Sequence, residues 1–532
     1  MTRAWLAVLV CGGAALGIAA VTGDSAAGKA WWSHVLTLAD DNMEGRKAGT
    51  EGYRKAARYV AEQFAKAGLE PAGTRGYMQP VPFEVRQIVE SKSKLAIVRD
   101  GKAETLELGR EANLYPRGES GRVVEAGAVF VGHGLTVPEN NVDDLKGLDL
   151  KGKIAVVLRG APKDIPGPLA AHAQSSAEQW KHLRAAGAIG VASIYNTQRA
   201  DIPWARATLA RLNPALTLGV PELKDTAGVR VSITINPEFG DRFLEGSGHS
   251  VAELMADDRS NKPLPKFPLK VRIRAEASFT TTQATSENVI GMLPGSDPKL
   301  KNEYVVYSAH LDHLGAGQPL PSNPADRIYN GAIDNASGVA SMIEVAKSLR
   351  GKKLKRSVIF AAVTGEEGGL LGSKFFANKP TIPANQIVAN INTDMYMPII
   401  PLKGITVLGL DESDLGKEFE DVAGRFGLPV KADPEPQRNR FIRSDQYSFI
   451  RRGIPSLAFK FYSDLGTPEN ETMTQWLTER YHSPSDDVNQ PVNIEGAVQF
   501  NKVMTAFVED VANRPARPMW LEGSFFRRFA VQ

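Results

Sequence analysis

The chain has 532 residues, 42% of them hydrophobic and 23% charged, the composition of a globular protein too long for one ordinary domain. Its formal net charge of +3 is too small for its size to imply a nucleic acid or a membrane surface as partner. Cys11 is the only cysteine, so once the leading segment is removed disulfides and thiolate metal sites are excluded, and any metal must be held by imidazole and carboxylate.

Residues 1–23 place Arg3 ahead of an apolar run from Ala4 to Ala20, with small residues at Gly17, Ala19 and Ala20. That pattern is a secretory signal and implies a periplasmic or secreted protein with no stable membrane insertion after cleavage. An uncleaved anchor is the alternative, because the run only just reaches spanning length. Trp31 to Asp41 predicts a short helix. A second helix is predicted after Thr50, a good N-cap, with Tyr53, Ala56, Ala57, Val60 and Phe64 at helical spacing and Gly68 as its stop.

From about Glu84 the texture changes to short β-type runs: Lys94 to Val98, Gly127 to Gly134, Lys153 to Gly160 and Ala188 to Ile194. A helix from Ser176 to Gly187 sits between the last two, and Asn141 to Leu150 and Ile165 to Gln174 are expected to be loops. The proline-rich Lys262 to Lys270 is expected to be an edge strand or a return linker. Residues 84–283 therefore form an inserted region between two parts, 24–83 and 284–532, of one discontinuous domain.

In the second part, strands from Glu287 to Leu293, Tyr304 to His310, Ser357 to Gly365 and Ile387 to Met395 alternate with helices from Ser337 to Leu349 and Leu371 to Asn378. Near-continuous apolar strands of this kind predict an α/β fold with a mixed, mostly parallel sheet sandwiched by helices. A last strand, Pro455 to Phe461, precedes a polar loop that delivers His482, and a helix from Ile494 to Val511 closes the domain.

The candidate site residues cluster at the carboxyl ends of these strands, where open α/β sheets bind ligands. His310 and Asp312 lie two apart after a strand, Asp334 sits among glycines and small residues in NGAIDNASG, and Glu366 and Glu367 follow another strand. Asp394 and His482 complete the set. Each has a bland reading alone: a satisfied histidine, a helix cap, a solvated pair of acids. Together, Asp334, Glu367, Asp394 and one hydroxide balance the charge of two zinc ions, with His310 and His482 as neutral ligands. Asp334 and a water would bridge the metals, Glu366 would act as general base, and Asp312 would support a ligand from behind. The expected reaction is amide hydrolysis by a metal-bridging hydroxide without an acyl-enzyme. Tyr462 and Tyr481 are each conceivable oxyanion donors.

The ordered set SAHLDHLG, NGAIDNASG, GEEGGLLGS, NTDM, RSDQYSFIRRGIP and YHSPSDD resembles the zinc aminopeptidase family that includes bacterial leucyl aminopeptidases and aminopeptidase Y. The resemblance covers roughly Trp31 to Phe83 and Ser286 to Val511. It implies a zinc-exopeptidase, phosphorylase/hydrolase-like fold in which Asp334, Glu367 and His482 hold one zinc and His310, Asp334 and Asp394 the other. It further implies Glu366 as the base, Asp312 as the carboxylate behind the histidine, and peptides with a free N-terminus as substrates. The insertion looks like a protease-associated domain, with Gly132 to Gly134 and Leu150 to Gly160 as its clearest marks. Two departures, Gln446 and Tyr396, are expected near the amino end of the substrate. A glutaminyl cyclase, a carboxypeptidase or dipeptidase on the same site, and a catalytically silent binding module are the alternatives.

Overall fold

A computed structural model describes residues 25–200, 202–320, 323–438 and 440–530. The signal and Cys11 lie outside the described residues. Two sheets organise the chain. The first has ten strands, and its centre runs Phe279–Leu293, Ser357–Val363, Tyr304–His310, Ile387–Asn392, Ser456–Phe461. The strands from Ser357–Val363 to Ser456–Phe461 are parallel neighbours, whereas Phe279–Leu293 beside them is antiparallel to Ser357–Val363 on one side and to Met78–Ile88 on the other.

Residue alternation explains the layers. Val305, Tyr307, Ala309, Val358, Phe360 and Ala362 face one core, shared with the helices Glu51–Ala67, Ser337–Leu349 and Ile494–Asn513. Val306, Ile359, Ala361 and Val363 face the other, against Phe376, Phe449 and Ile454. Successive side chains point to opposite faces of a strand, so only near-continuous apolar runs can be covered on both sides. The Glu51–Ala67 helix begins where Thr50 Oγ1 accepts the Tyr53 N–H at 3.3 Å and ends at Gly68 with φ +82°.

The second sheet has eight strands drawn from Lys94 to Glu276. Its core includes Ile97, Phe130, Val156, Ile194, Ile233 and Ile273, and the Ser176–Ala185 helix packs Trp180 and Leu183 on the outer side of its strands. Met78–Ile88 and Phe279–Leu293 pair along their length in the first sheet, so the expected boundaries at 84 and 284 fall within or beside continuous strands. Ala215–Leu218, from the middle of the insertion, also joins the first sheet at its edge.

Residues 262–270 are, as expected, a linker that enters a strand paired on one side: Phe267 and Pro268 face only Val123–Phe130, and pairing with Lys94–Arg99 as well begins at Arg272. The proline is accommodated because the register shifts between Pro268 and Arg272. Two local expectations are corrected. Gly167–Gln174, expected as loop, is a helix whose Leu169, Ala170 and Ala171 are buried. Its start at Pro166 with Pro168 in the first turn is where proline suits a helix. The polar stretch before His482 holds another helix, Pro468–Glu479, capped by Thr467.

Candidate metal centre

The parallel register brings the site together. His310 lies opposite Val363 on one neighbouring strand, and Ser308 lies opposite Asn392 on the other. The turns that follow therefore present His310, Glu366, Glu367 and Asp394 at one end of the sheet. His310 Nε2 is 3.2 Å from Asp334 Oδ1 and 3.3 Å from Asp394 Oδ1. His482 Nε2 is 3.4 Å from Asp334 Oδ2 and 3.1 Å from Glu367 Oε2. The five side chains thus form two groups that share Asp334, one oxygen turned to each. Zinc bonds of 2.0–2.1 Å place tetrahedral ligands about 3.3–3.4 Å apart, and the spacings found here fit that figure.

The surrounding chain is built to hold these atoms. His310 Nδ1 is 3.1 Å from the main-chain carbonyl of Asp312. A carbonyl only accepts, so Nδ1 donates to it, and Nε2 faces the carboxylates, where it would ligate a metal that displaces its proton. The expected role of Asp312 is therefore corrected in detail: its main chain, not its carboxylate, supports His310. The carboxylate accepts the Glu366 N–H at 3.1 Å and the Glu367 N–H at 3.4 Å, fixing the turn that carries both glutamates.

The loop bearing Asp334 is clamped from several sides. Asp486 accepts the N–H groups of Ile333 and Asp334, each at 3.0 Å, and Gln490 donates to it at 2.7 Å. Asn335 donates to the Thr393 carbonyl at 2.9 Å and accepts the Gly338 N–H at 3.2 Å. A Cβ on Gly338 would lie 2.2 Å from Asn335 Oδ1, which is why the small residues of NGAIDNASG are needed. From the amino-terminal segment, fully buried Arg46 donates to the carbonyls of Leu311, Asn330 and Gly331 at 2.9, 2.6 and 2.9 Å.

Arg46, Asp486 and His313 were not among the candidates from sequence. Asp486 stood inside a quoted motif, YHSPSDD, and His313 inside another, HLDHLG, which was the signal available. Arg46 gave no signal, since arginine is seldom buried. Asp486→Asn should expose a backbone N–H to an amide donor. Leaving one buried partner unsatisfied costs about 1–3 kcal/mol, so a lower melting temperature and about tenfold weaker zinc binding are expected. Unchanged melting and zinc titration would show that Asp486 is not the clamp.

The electrostatics call for cations. Burial favours the protonated form of Glu366, and the Asp394 and Glu367 carboxylates push its pKa up further. Burial acts against the His482 imidazolium, yet Glu367 and Asp334 prevail and raise its pKa to about 10. Conversely, burial would raise Glu367, but His482 and His313 hold it down to about 2. Four carboxylates this close together are costly unless positive charge is bound among them. The cavity over the centre is lined by Glu366, Asp394, Met395, Met473, Leu477 and Tyr481.

The remaining expectations divide. Tyr481 lines the cavity and lies against the His482 ring at 3.9 Å between centroids, whereas the Tyr462 hydroxyl bonds Asp464 at the surface. Gln446 lines the cavity, accepting from Asn392 at 2.8 Å and donating to the Phe441 carbonyl at 2.8 Å. Tyr396 does not line it. It is wholly buried, stacked on Phe500 with centroids 4.3 Å apart and bonded to Ser341, so the expectation that it lies near the substrate is corrected.

A parallel-centred α/β sheet thus gathers imidazole and carboxylate groups at one end of its strands, where such sheets bind their ligands. Residues 288–508 match the model of Peptidase family M28. Leupeptin-inactivating enzyme 1 of Streptomyces exfoliatus is 30% identical over 181 residues, 34% of this chain and 36% of that protein. The match thus spans about a third of that relative's length. Aminopeptidase YwaD of Bacillus subtilis is 25% identical over 478 residues, 89% of this chain and 82% of its own. Among solved structures, the aminopeptidase from Aneurinibacillus sp. strain AM-1 superposes with a TM-score of 0.54 at 21% identity, covering 92% of this chain and 95% of that one. That likeness concerns the fold.

Proposed function

We propose that the protein is a zinc aminopeptidase that hydrolyses the N-terminal bond of peptides with a free amino end, using two zinc ions. The observation that carries this reading is Asp334, whose two oxygens face separate ligand groups at 3.2 and 3.4 Å, with Glu366 on the cavity wall beside them. His310 and Asp394 would complete one site, Glu367 and His482 the other. Zinc held there supplies Lewis acidity that polarises a carbonyl and acidifies water.

The chain's own part is to place the reactants. Glu366 takes a proton from the attacking water and returns it to the leaving amine. Asp312 holds the Glu366 and Glu367 amides so that one glutamate points to the ligand group and the other to the cavity. Tyr481 lines the cavity and would be the donor to the substrate carbonyl. The similarity to Aminopeptidase YwaD over most of both chains favours removal of single N-terminal residues over the cyclase and carboxypeptidase alternatives.

The signal at residues 1–23 supports export, and no helix among the described residues is long and apolar enough to cross a membrane. The second sheet, between Lys94 and Glu276, would be the protease-associated domain.

The test is hydrolysis of a panel of aminoacyl chromogenic substrates. Activity should be abolished by a chelator and restored by zinc, and blocking the substrate's α-amine should remove it. Zinc-loaded protein that cleaves none of the panel would refute the assignment.

A further inference from the structure

His313 faces the same centre and has no task in the reading above. Its side chain is fully buried, and its Nδ1 lies 2.7 Å from Glu367 Oε1 and 3.7 Å from Asp334 Oδ2. Neither ring nitrogen, nor Glu367 Oε1, has an aligned hydrogen-bond partner. A buried imidazole that meets a carboxylate off the line of a hydrogen bond and leaves its other nitrogen unpaired is costly and rare in a folded protein. His482 approaches the same carboxylates from another side: it meets Oε2 of Glu367, the opposite oxygen, and the same Asp334 Oδ2. The two rings are 5.8 Å apart and inclined at 65°, so they converge rather than stack. His313, Asp334 and Glu367 by themselves meet the spacing of a metal-holding group. The chain also makes room for the ring, because a Cβ on Gly331 would lie 2.6 Å from His313 Cγ.

We propose that His313 is a direct ligand of the zinc on the Glu367 side, which Glu367 grips with both carboxylate oxygens. The inference rests on the two-zinc reading and deepens it. That ion would be held by two imidazoles together with Asp334 and Glu367, against the single imidazole of the His310, Asp334 and Asp394 group. A second neutral nitrogen adds a ligand zinc favours without adding charge. The two sites are then unequal, and the first equivalent of metal goes to the Glu367 side.

The experiment uses the full chain, stripped by a chelator and titrated with Zn²⁺ by calorimetry and with Co²⁺ by visible absorption. Wild type should bind two ions in two unequal steps. His313→Asn keeps a hydrogen-bonding amide near the Nδ1 position and loses the imidazole. It should weaken the tighter step by at least about tenfold, leave the weaker step unchanged and alter the Co²⁺ spectrum. His482→Asn should weaken that same step. Tight binding within about threefold of wild type with an unchanged Co²⁺ spectrum would reduce His313 to a hydrogen-bond partner of Glu367 and overturn the proposal. Zinc X-ray absorption on the unmodified two-zinc protein gives an answer free of folding effects: three imidazoles shared between two ions support it, and two refute it. Wild type that binds no zinc would refute the two-zinc reading itself, a result distinct from either outcome at His313.

Discussion

Glu366→Gln is expected to leave a folded, zinc-binding protein whose kcat is lower by about 10²–10⁴, the usual contribution of a positioned general base. Glutamine preserves the shape and the main-chain N–H that Asp312 holds at 3.1 Å, so the turn stays in place. The substitution also leaves metal binding alone, because Glu366 belongs to neither ligand group. Only the ability to take a proton is lost. The check is kcat and zinc content measured on the same sample. A variant that retains wild-type kcat would remove Glu366 from the chemistry, and one that loses zinc would recast it as a ligand. The carboxylate must be ionised to act as a base, and burial together with Asp394 and Glu367 raises its pKa. Bound zinc works in the opposite direction, toward the ionised form.

The second large effect is expected at Asp334→Asn. This one side chain faces both ligand groups, with His310 on one oxygen and His482 on the other, so its loss is felt at both zinc ions together. An amide nitrogen replaces one of the two oxygens and brings no charge against the cations. Each step of zinc binding should weaken by about 10–100-fold or more, since losing even a supporting partner costs that much. Stability reports the same loss independently of activity. A ligand present at 100 times its Kd stabilises the folded state by about 2.7 kcal/mol, so zinc should raise the melting temperature of wild type and leave the variant nearly unmoved. A variant in which only one binding step weakens would mean that Asp334 does not bridge.

Much of the fold could be read in advance where a local signal coincided with a tertiary need. Thr50 and Gly68 bracket a helix because a cap and a left-handed stop act within a few residues. The strands around His310, Glu366 and Asp394 were visible because burial on both faces demands continuous apolar runs. The strand that starts at Phe267 continues past Pro268 into the sheet, where a register shift precedes the two-sided pairing of residues 272–276. Local rules failed where a neighbour supplied the compensation. Gly167–Gln174 is helical because it packs Leu169 and Ala170 into a cluster assembled from distant segments. Tyr396 follows directly on Asp394 and Met395, yet its side chain turns into the core against Phe500, a direction that adjacency in sequence does not reveal.

The sequence by itself narrowed the candidates: with Cys11 the only cysteine, any metal would have to be held by imidazole and carboxylate, and the motifs marked His310, Asp334, Glu366, Glu367, Asp394 and His482 as the groups to bring together. What only the tertiary structure decided is how these donors divide the work. Parallel register set His310 and Asp394 3.3 Å apart, and the clamp from Asp486 turned Asp334 between two groups. The Asp312 carboxylate went to the glutamate turn, while its carbonyl took the histidine. His313 came within 2.7 Å of Glu367. The physical reason is one of scale: a ligand's identity lies in its side chain, whereas bridging depends on tenths of an ångström between segments up to 285 residues apart, which packing and buried hydrogen bonds set jointly.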